Sequence, residues 1–164
     1  MAGVAVTQAP WLWLLHGDVR LPASWPYRLG DLVQRQQEPG QRLQAWYGTL
    51  QIALPGAAYR LLELLVRLRS AVLQRPYGDQ GLLLPRRVFE ACGGLRPLPL
   101  MEDLEFAERF ARQGRFRALN LALRVDGRRW QRLGLLRTTW ANAALRRAWR
   151  RGVPAQALAL RYRP

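Results

Sequence analysis

A chain of 164 residues that is 49% hydrophobic and 10% aromatic is long enough for one packed domain and too apolar for a disordered tail. Its net charge of +15 points to an anionic partner, but all 26 basic residues are arginines, in a sequence crowded with Ala, Leu, Gly and Pro. Part of that charge reflects a GC-rich codon habit, which ranks nucleic acid last among partners and leaves arginine's affinity for planar carboxylate or phosphate as the informative part.

Cys92 stands alone, which excludes a disulfide within the chain and a cysteine-based zinc site. No apolar run reaches the roughly 18 residues of a membrane-spanning helix. The first 17 residues contain no Asp, Glu, Lys or Arg, and their apolar core, Trp11-Leu12-Trp13-Leu14-Leu15, is short and lacks a basic flank. That makes a poor signal peptide, so the cytoplasm is the expected location.

The same apolar run, 11–15, reads as a strand buried on both faces of a parallel sheet. It ends in His16-Gly17-Asp18, at the strand end where open α/β sheets place ligands, and in an extended segment His16 and Asp18 project to one side. A satisfied edge role competes for His16, and a turn role for Asp18. Leu21-Pro22 leads into a helix over 25–37, closed by Glu38-Pro39-Gly40. Residues 42–54, with Trp46, Tyr47, Thr49 and Ile52, predict a strand with a bulge at Gly48.

Pro55-Gly56 opens the next helix. Arg60, Glu63, Arg67, Ser70 and Gln74 form its polar stripe, and Leu61, Leu62, Leu65, Leu68 and Val72 an apolar face expected in the core, with partner binding as the alternative. A turn-rich segment, 75–81, precedes the apolar strand Leu82-Leu83-Leu84 and a short helix over 85–92. Gly93-Gly94 ends that helix, and 95–99 connects it rigidly to Glu102-Asp103.

Acids in a first helical turn complement the macrodipole, which by itself accounts for most such pairs. Leu104, Ala107, Phe110 and Ala111 then recur at helical spacing, Glu105 with Arg109 and Glu108 with Arg112 form (i, i+4) pairs, and Gly114 supplies a stop. A strand over 116–125 runs into Asp126-Gly127-Arg128-Arg129-Trp130. The helix over 135–151 groups Trp140, Ala144, Ala148 and Trp149 on one side. Its Arg146, Arg147, Arg150 and Arg151 complement the dipole or meet an anionic surface, which makes the inner membrane face a peripheral alternative location. Pro154 starts a last short helix.

Four segments in this order, 14–22 (Leu-Leu-His-Gly-Asp-Val-Arg-Leu-Pro), 76–81 (Pro-Tyr-Gly-Asp-Gln-Gly), 99–103 (Pro-Leu-Met-Glu-Asp) and Arg128-Arg129-Trp130, resemble motifs of the family 2 glycosyltransferases of the GT-A fold. The resemblance narrows to a bacterial subgroup named for a proposed role in arsenosugar biosynthesis. It implies an α/β fold: the C-terminal portion of a Rossmann-like nucleotide-diphospho-sugar transferase, with a mixed sheet and flanking helices. Residues 1–164 would then be one incomplete domain, with the metal-acid strand and turn at 11–22, the acceptor and catalytic region at 76–130 and C-terminal helices at 134–164.

Inverting transfer from a nucleotide-diphosphate sugar to an acceptor hydroxyl needs a base, which the family places at Asp103, with Glu102 as its neighbour. The resemblance gives Asp18 a divalent ion, Mg²⁺ or Mn²⁺, at the donor diphosphate. His16 takes the first place of the usual D-x-D, a departure, since neutral imidazole brings no negative charge to a hard cation. Arg128 or Arg129, with Trp130, matches the family's Q-x-x-R-W element, and Asp126 stands where the glutamine would be. Tyr77, Gly78, Asp79 and Gln80 would form the loop near sugar or acceptor.

Family members begin with Rossmann-like units that hold the donor's uridine. A βαβ unit takes about 30 residues, and residues 1–10 cannot supply one. The expected consequence is a strand at 11–15 with a free edge and an exposed apolar face, met by self-association or by a separate nucleotide-binding chain. An inactive remnant or interaction subunit is the alternative reading, and an arginine-rich binder of anionic surfaces the weaker one.

Overall fold

A computed structural model describes residues 4, 6–35 and 43–162. Two long strands, β3 (Leu43–Ile52) and β5 (Gly114–Val125), pair in parallel at the centre of a mixed five-stranded sheet of order β1-β4-β3-β5-β2. β4 (Leu82–Pro85) runs antiparallel to β3, β1 (Trp11–Leu14) antiparallel to β4, and the two-residue β2 (Val19–Arg20) antiparallel to the end of β5. Helices α1 (Trp25–Arg35), α2 (Ala57–Leu73), α3 (Arg86–Ala91), α4 (Glu102–Phe110), α5 (Arg128–Leu133), α6 (Leu135–Arg150) and α7 (Ala155–Arg161) flank it. The chain is thus α/β, as expected. The predicted closure of the first helix, Glu38-Pro39-Gly40, lies outside the described residues.

β1 corrects one expectation. It is an antiparallel edge strand, not a strand within a parallel sheet, and its outer edge has no strand partner among the described residues. Its unbroken apolar run serves two covered faces. Trp11 and Trp13 pack with Trp46, Leu83 and α1, while Leu12 and Leu14 join the opposite core of Leu84, Phe89, Phe106 and Phe110. An apolar run reports that both faces are covered, but not the direction of the neighbouring strand, and the faces themselves are not left bare as expected.

The bulge predicted at Gly48 is present, with the surplus on the other strand. Register passes from Tyr47↔Ala118 to Thr49↔Ala122, so β5 advances four residues against two, and Asn120 adopts a left-handed φ of 53°. A Cβ on Gly48 would come within 2.5 Å of Leu123 Cγ, so only glycine lets the bulged strand close over it.

α2 reverses the predicted orientation. Leu61, Leu65, Leu68 and Val72 are 57%, 53%, 50% and 73% exposed, and the helix meets the sheet through Tyr59, Leu62, Val66 and Ser70. Its polar stripe has work inside. Arg60 donates to the carbonyls of Ile52 (2.8 Å) and Leu54 (2.9 Å), and Glu63 accepts the Ile52 N–H at 2.6 Å. Ser70 Oγ and Arg69 both donate to the amide oxygen of Gln80, and Gln74 accepts the Phe116 N–H. These bonds satisfy backbone at the end of β3 and the start of β5 and hold the Gln80 side chain in the turn before β4, which no apolar face could do.

α4 follows its pattern. Leu104, Phe106, Ala107 and Phe110 are buried, and the rings of Phe89, Phe106, Phe110 and Phe116 stack through the core at centroid distances of 4.6–6.3 Å. Glu105 pairs with Arg109 as predicted. The predicted Glu108–Arg112 pair is replaced by Glu108–Arg150 at 2.7 Å, because the side chain of Arg150, at the end of α6, reaches Glu108. Gly114 does not stop the helix; it opens β5, where a Cβ would strike the Phe110 ring.

Candidate active site

Glu102 and Asp103 begin α4 directly after Met101, whose left-handed backbone (φ 69°, ψ 15°) turns the chain sharply out of the proline-rich connection. A non-glycine residue rarely takes that conformation, and strain of this kind concentrates at functional sites. Asp103 Oδ2 accepts the Gly78 N–H at 2.6 Å, and Oδ1 accepts the Leu104 N–H at 2.7 Å. The carboxylate is therefore fixed by two backbone donors, each oxygen keeping a lone pair free.

Gly78 begins the single 3₁₀ turn Gly78–Gln80 between α2 and β4. Any side chain there would fall on the His16 ring and within 2.8 Å of Asp103 Oδ2, so glycine is what allows this turn to pack against both groups. His16 Nε2 lies 4.0 Å from Asp103 Oδ2, beyond hydrogen-bonding distance. The predicted extended geometry of His16 and Asp18 is not observed. β1 ends at Leu14, and the Val19 N–H donates to the His16 carbonyl at 3.2 Å, which places Gly17-Asp18 in a turn.

These groups open onto a cavity of about 230 Å³. His16, Asp18, Asp79, Glu102 and Asp103 face it from the end of β1, the 3₁₀ turn and α4; Arg129, Trp130, Thr138, Asn142 and Arg146 face it from α5 and α6. A second cavity, about 510 Å³, runs beside β1 and shares His16, Glu102 and Asp103 with the first; Gly78 lines it too. An acidic wall thus meets a wall carrying two guanidinium groups.

Three polar atoms in the first cavity are buried without a hydrogen-bond partner: Asp79 Oδ1, Arg129 Nε and Thr138 Oγ1. Such orphans are costly in a mere core and expected where a polar ligand completes them. Burial pushes the Asp79 carboxyl above the ordinary carboxylate range; the Arg69 guanidinium opposes this, and the neighbouring Asp103 adds to it. Tyr77 stands between two cations, its ring centroid 3.8 Å from Arg69 and 5.2 Å from Arg146, and its hydroxyl accepts from Arg150 at 3.3 Å.

Of the two arginines matched to the R-W element, Arg129 reaches the cavity, held by the Tyr162 hydroxyl and ring. Arg128 is directed outward, its side chain 86% exposed and paired with Asp126 at 2.7 Å. Its N–H and guanidinium hold the Asp126 carboxyl below the ordinary range. Gln80 does not line either cavity. It is 1% exposed, and its amide ties Ser70, Arg69 and the Gly48 carbonyl together, a positioning role beneath the loop.

Thr138, Asn142 and Arg146 were not singled out for the site from sequence. Their spacing of four was the available signal, a polar line along one face of α6, hidden among the arginines of the same helix. Among the described residues no group of three or more His, Cys, Asp or Glu side chains is placed to hold a metal ion. At the end of β1 the cavity offers Asp18, apart from the carboxylates of Asp79, Glu102 and Asp103, with His16 turned towards Asp103. One carboxylate suffices for Mg²⁺ only where substrate phosphates and water complete its shell.

Comparison of the chain with protein-family models, with curated proteins and with solved structures finds no match.

Proposed function

We propose that this cavity transfers a sugar, with inversion, from a nucleotide-diphosphate donor to an acceptor hydroxyl, and that Asp103 is the base. The fold would be the C-terminal portion of a GT-A transferase of family 2, as the sequence resemblance implies. The observation that supports it is convergence: segments 14–22, 76–81, 99–103 and 128–130, spread along most of the chain, put Asp18, Tyr77, Asp79, Glu102, Asp103, Arg129 and Trp130 around one cavity. A dipole-complementing pair would have no reason to face Asp18 and Arg129.

The chemistry follows from the placement. A free lone pair on the Asp103 carboxylate takes the acceptor's proton as its oxygen attacks the anomeric carbon. The bond from that carbon to the diphosphate breaks on the opposite side, and its electron pair leaves with the phosphate. Arg129 and Arg146 are the fixed cations available to the negative charge that develops there. Asp18 would hold a divalent ion on the diphosphate, and such an ion, when bound, neutralises the leaving group. The outer edge of β1, which has no strand partner among the described residues, is where a separate nucleotide-binding chain, or a second copy, would extend the sheet.

Release of nucleoside diphosphate from uridine-diphosphate sugars, measured with Mn²⁺ and a panel of hydroxyl acceptors, tests the assignment. Asp103→Asn keeps an acceptor for the Gly78 N–H and should lower turnover by about 10²–10⁴-fold with the melting temperature little changed. Equal turnover in the variant would remove Asp103 from the chemistry. The outer edge of β1, without a strand partner among the described residues, supports a second reading, an interaction subunit without activity of its own, which predicts co-purification with a nucleotide-binding polypeptide and no turnover.

A further inference from the structure

The outward face of α2 belongs to neither cavity. Leu61, Leu64, Leu65, Leu68 and Val72 stand 49–73% exposed along it. At helical spacing these five occupy an arc of about 100°, the width of a face that normally packs on a core. The opposite side of the same helix already fills that role through Leu62, Val66 and Ser70. α2 therefore has two apolar faces, and the sheet uses one.

Charge says what suits the other. Arg67 stands on one border of the leucine arc and makes no ion pair among the described residues, while Arg60, on the same border, spends its guanidinium on the Ile52 and Leu54 carbonyls and on Glu63. The helix carries one acid, Glu63, and its carboxylate is engaged by Arg60 at 2.9 Å and by the Ile52 N–H. The exposed side is thus leucine bordered by arginine, with no exposed carboxylate. A second copy would set arginine against arginine across a two-fold contact. A protein partner is typically met by tyrosine, tryptophan or methionine, and this arc contains none.

We propose that α2 lies on the surface of an anionic phospholipid bilayer, with Leu61, Leu65 and Leu68 among the acyl chains and Arg67 at the level of the phosphates. Its 17 residues span about 25 Å in the membrane plane. No described helix is long and apolar enough to cross a membrane, so the contact is peripheral.

The test uses vesicles of phosphatidylcholine alone and vesicles containing about one-third phosphatidylglycerol. The full chain should sediment with the anionic vesicles, and Leu65→Glu/Leu68→Glu should lower its partition by about tenfold or more for each leucine. Both positions are exposed, and circular dichroism checks that the variant folds. Because Cys92 is buried, Leu65→Cys gives an accessible thiol for an environment-sensitive fluorophore. Its emission should shift to the blue on anionic vesicles and not in their absence. Three results would overturn the proposal: no sedimentation, equal sedimentation of the double glutamate variant, which would assign binding to net charge alone, or a shift without vesicles that grows with protein concentration, which would assign the face to a second copy.

Discussion

α4 and α2 carry comparable helical patterns and use them in opposite ways. In α4 the apolar positions Leu104, Phe106, Ala107 and Phe110 are buried in an aromatic core, and Glu102 and Asp103 of its first turn face the cavity. In α2 the leucine stripe faces outward, and the stripe of Arg60, Glu63 and Ser70 faces the sheet and the turn before β4. Periodicity shows that a helix has an apolar side; it does not show which side meets the rest of the protein when unpaired backbone needs polar partners.

The largest expected effect lies on the α4 side. Phe106 is fully buried between Phe89 and Phe110, and Phe106→Ala should cost about 3–5 kcal/mol in urea denaturation. A loss below about 1 kcal/mol would mean that this core is not what anchors the acid pair.

An intermediate effect is expected where α2 meets the loop. Gln80→Leu removes the acceptor for Arg69 and the donor to the Gly48 carbonyl, and should cost about 1–3 kcal/mol by the same measurement. The smallest effect belongs to the leucine face: Leu65→Gln should shift stability by no more than about 0.5 kcal/mol. A loss as large as that of Phe106→Ala would restore the face to a core and cancel the contrast between the two helices.

Much of the fold was legible because local signals were strong. The apolar strands at 11–15 and 82–84, the bulge at Gly48 and the acidic start of α4 each follow from residue type and spacing. Strand direction at β1 was not, since two covered faces look alike in parallel and antiparallel pairing. Nor was the partner of Glu108, which depends on α6, 42 residues away. Of the residues around the first cavity, the sequence motifs name His16, Asp18, Tyr77, Asp79, Glu102, Asp103 and Trp130, while separating Arg129 from Arg128 takes the turn of α5. Thr138 and Asn142 carry little sequence signal because hydroxyl and amide groups on a helix are ordinarily solvated; only the fold shows that both line the cavity and that the Thr138 hydroxyl is buried.

The claim that these groups form one donor site is tested most directly by calorimetric titration of uridine diphosphate with Mn²⁺ into the wild-type chain, Asp18→Ala and Asp103→Asn. The expected result is binding to the wild type, a loss of at least about tenfold, or 1.4 kcal/mol, in Asp18→Ala, and unchanged affinity in Asp103→Asn. Affinity unaltered by Asp18→Ala, or no heat at millimolar ligand, would contradict it.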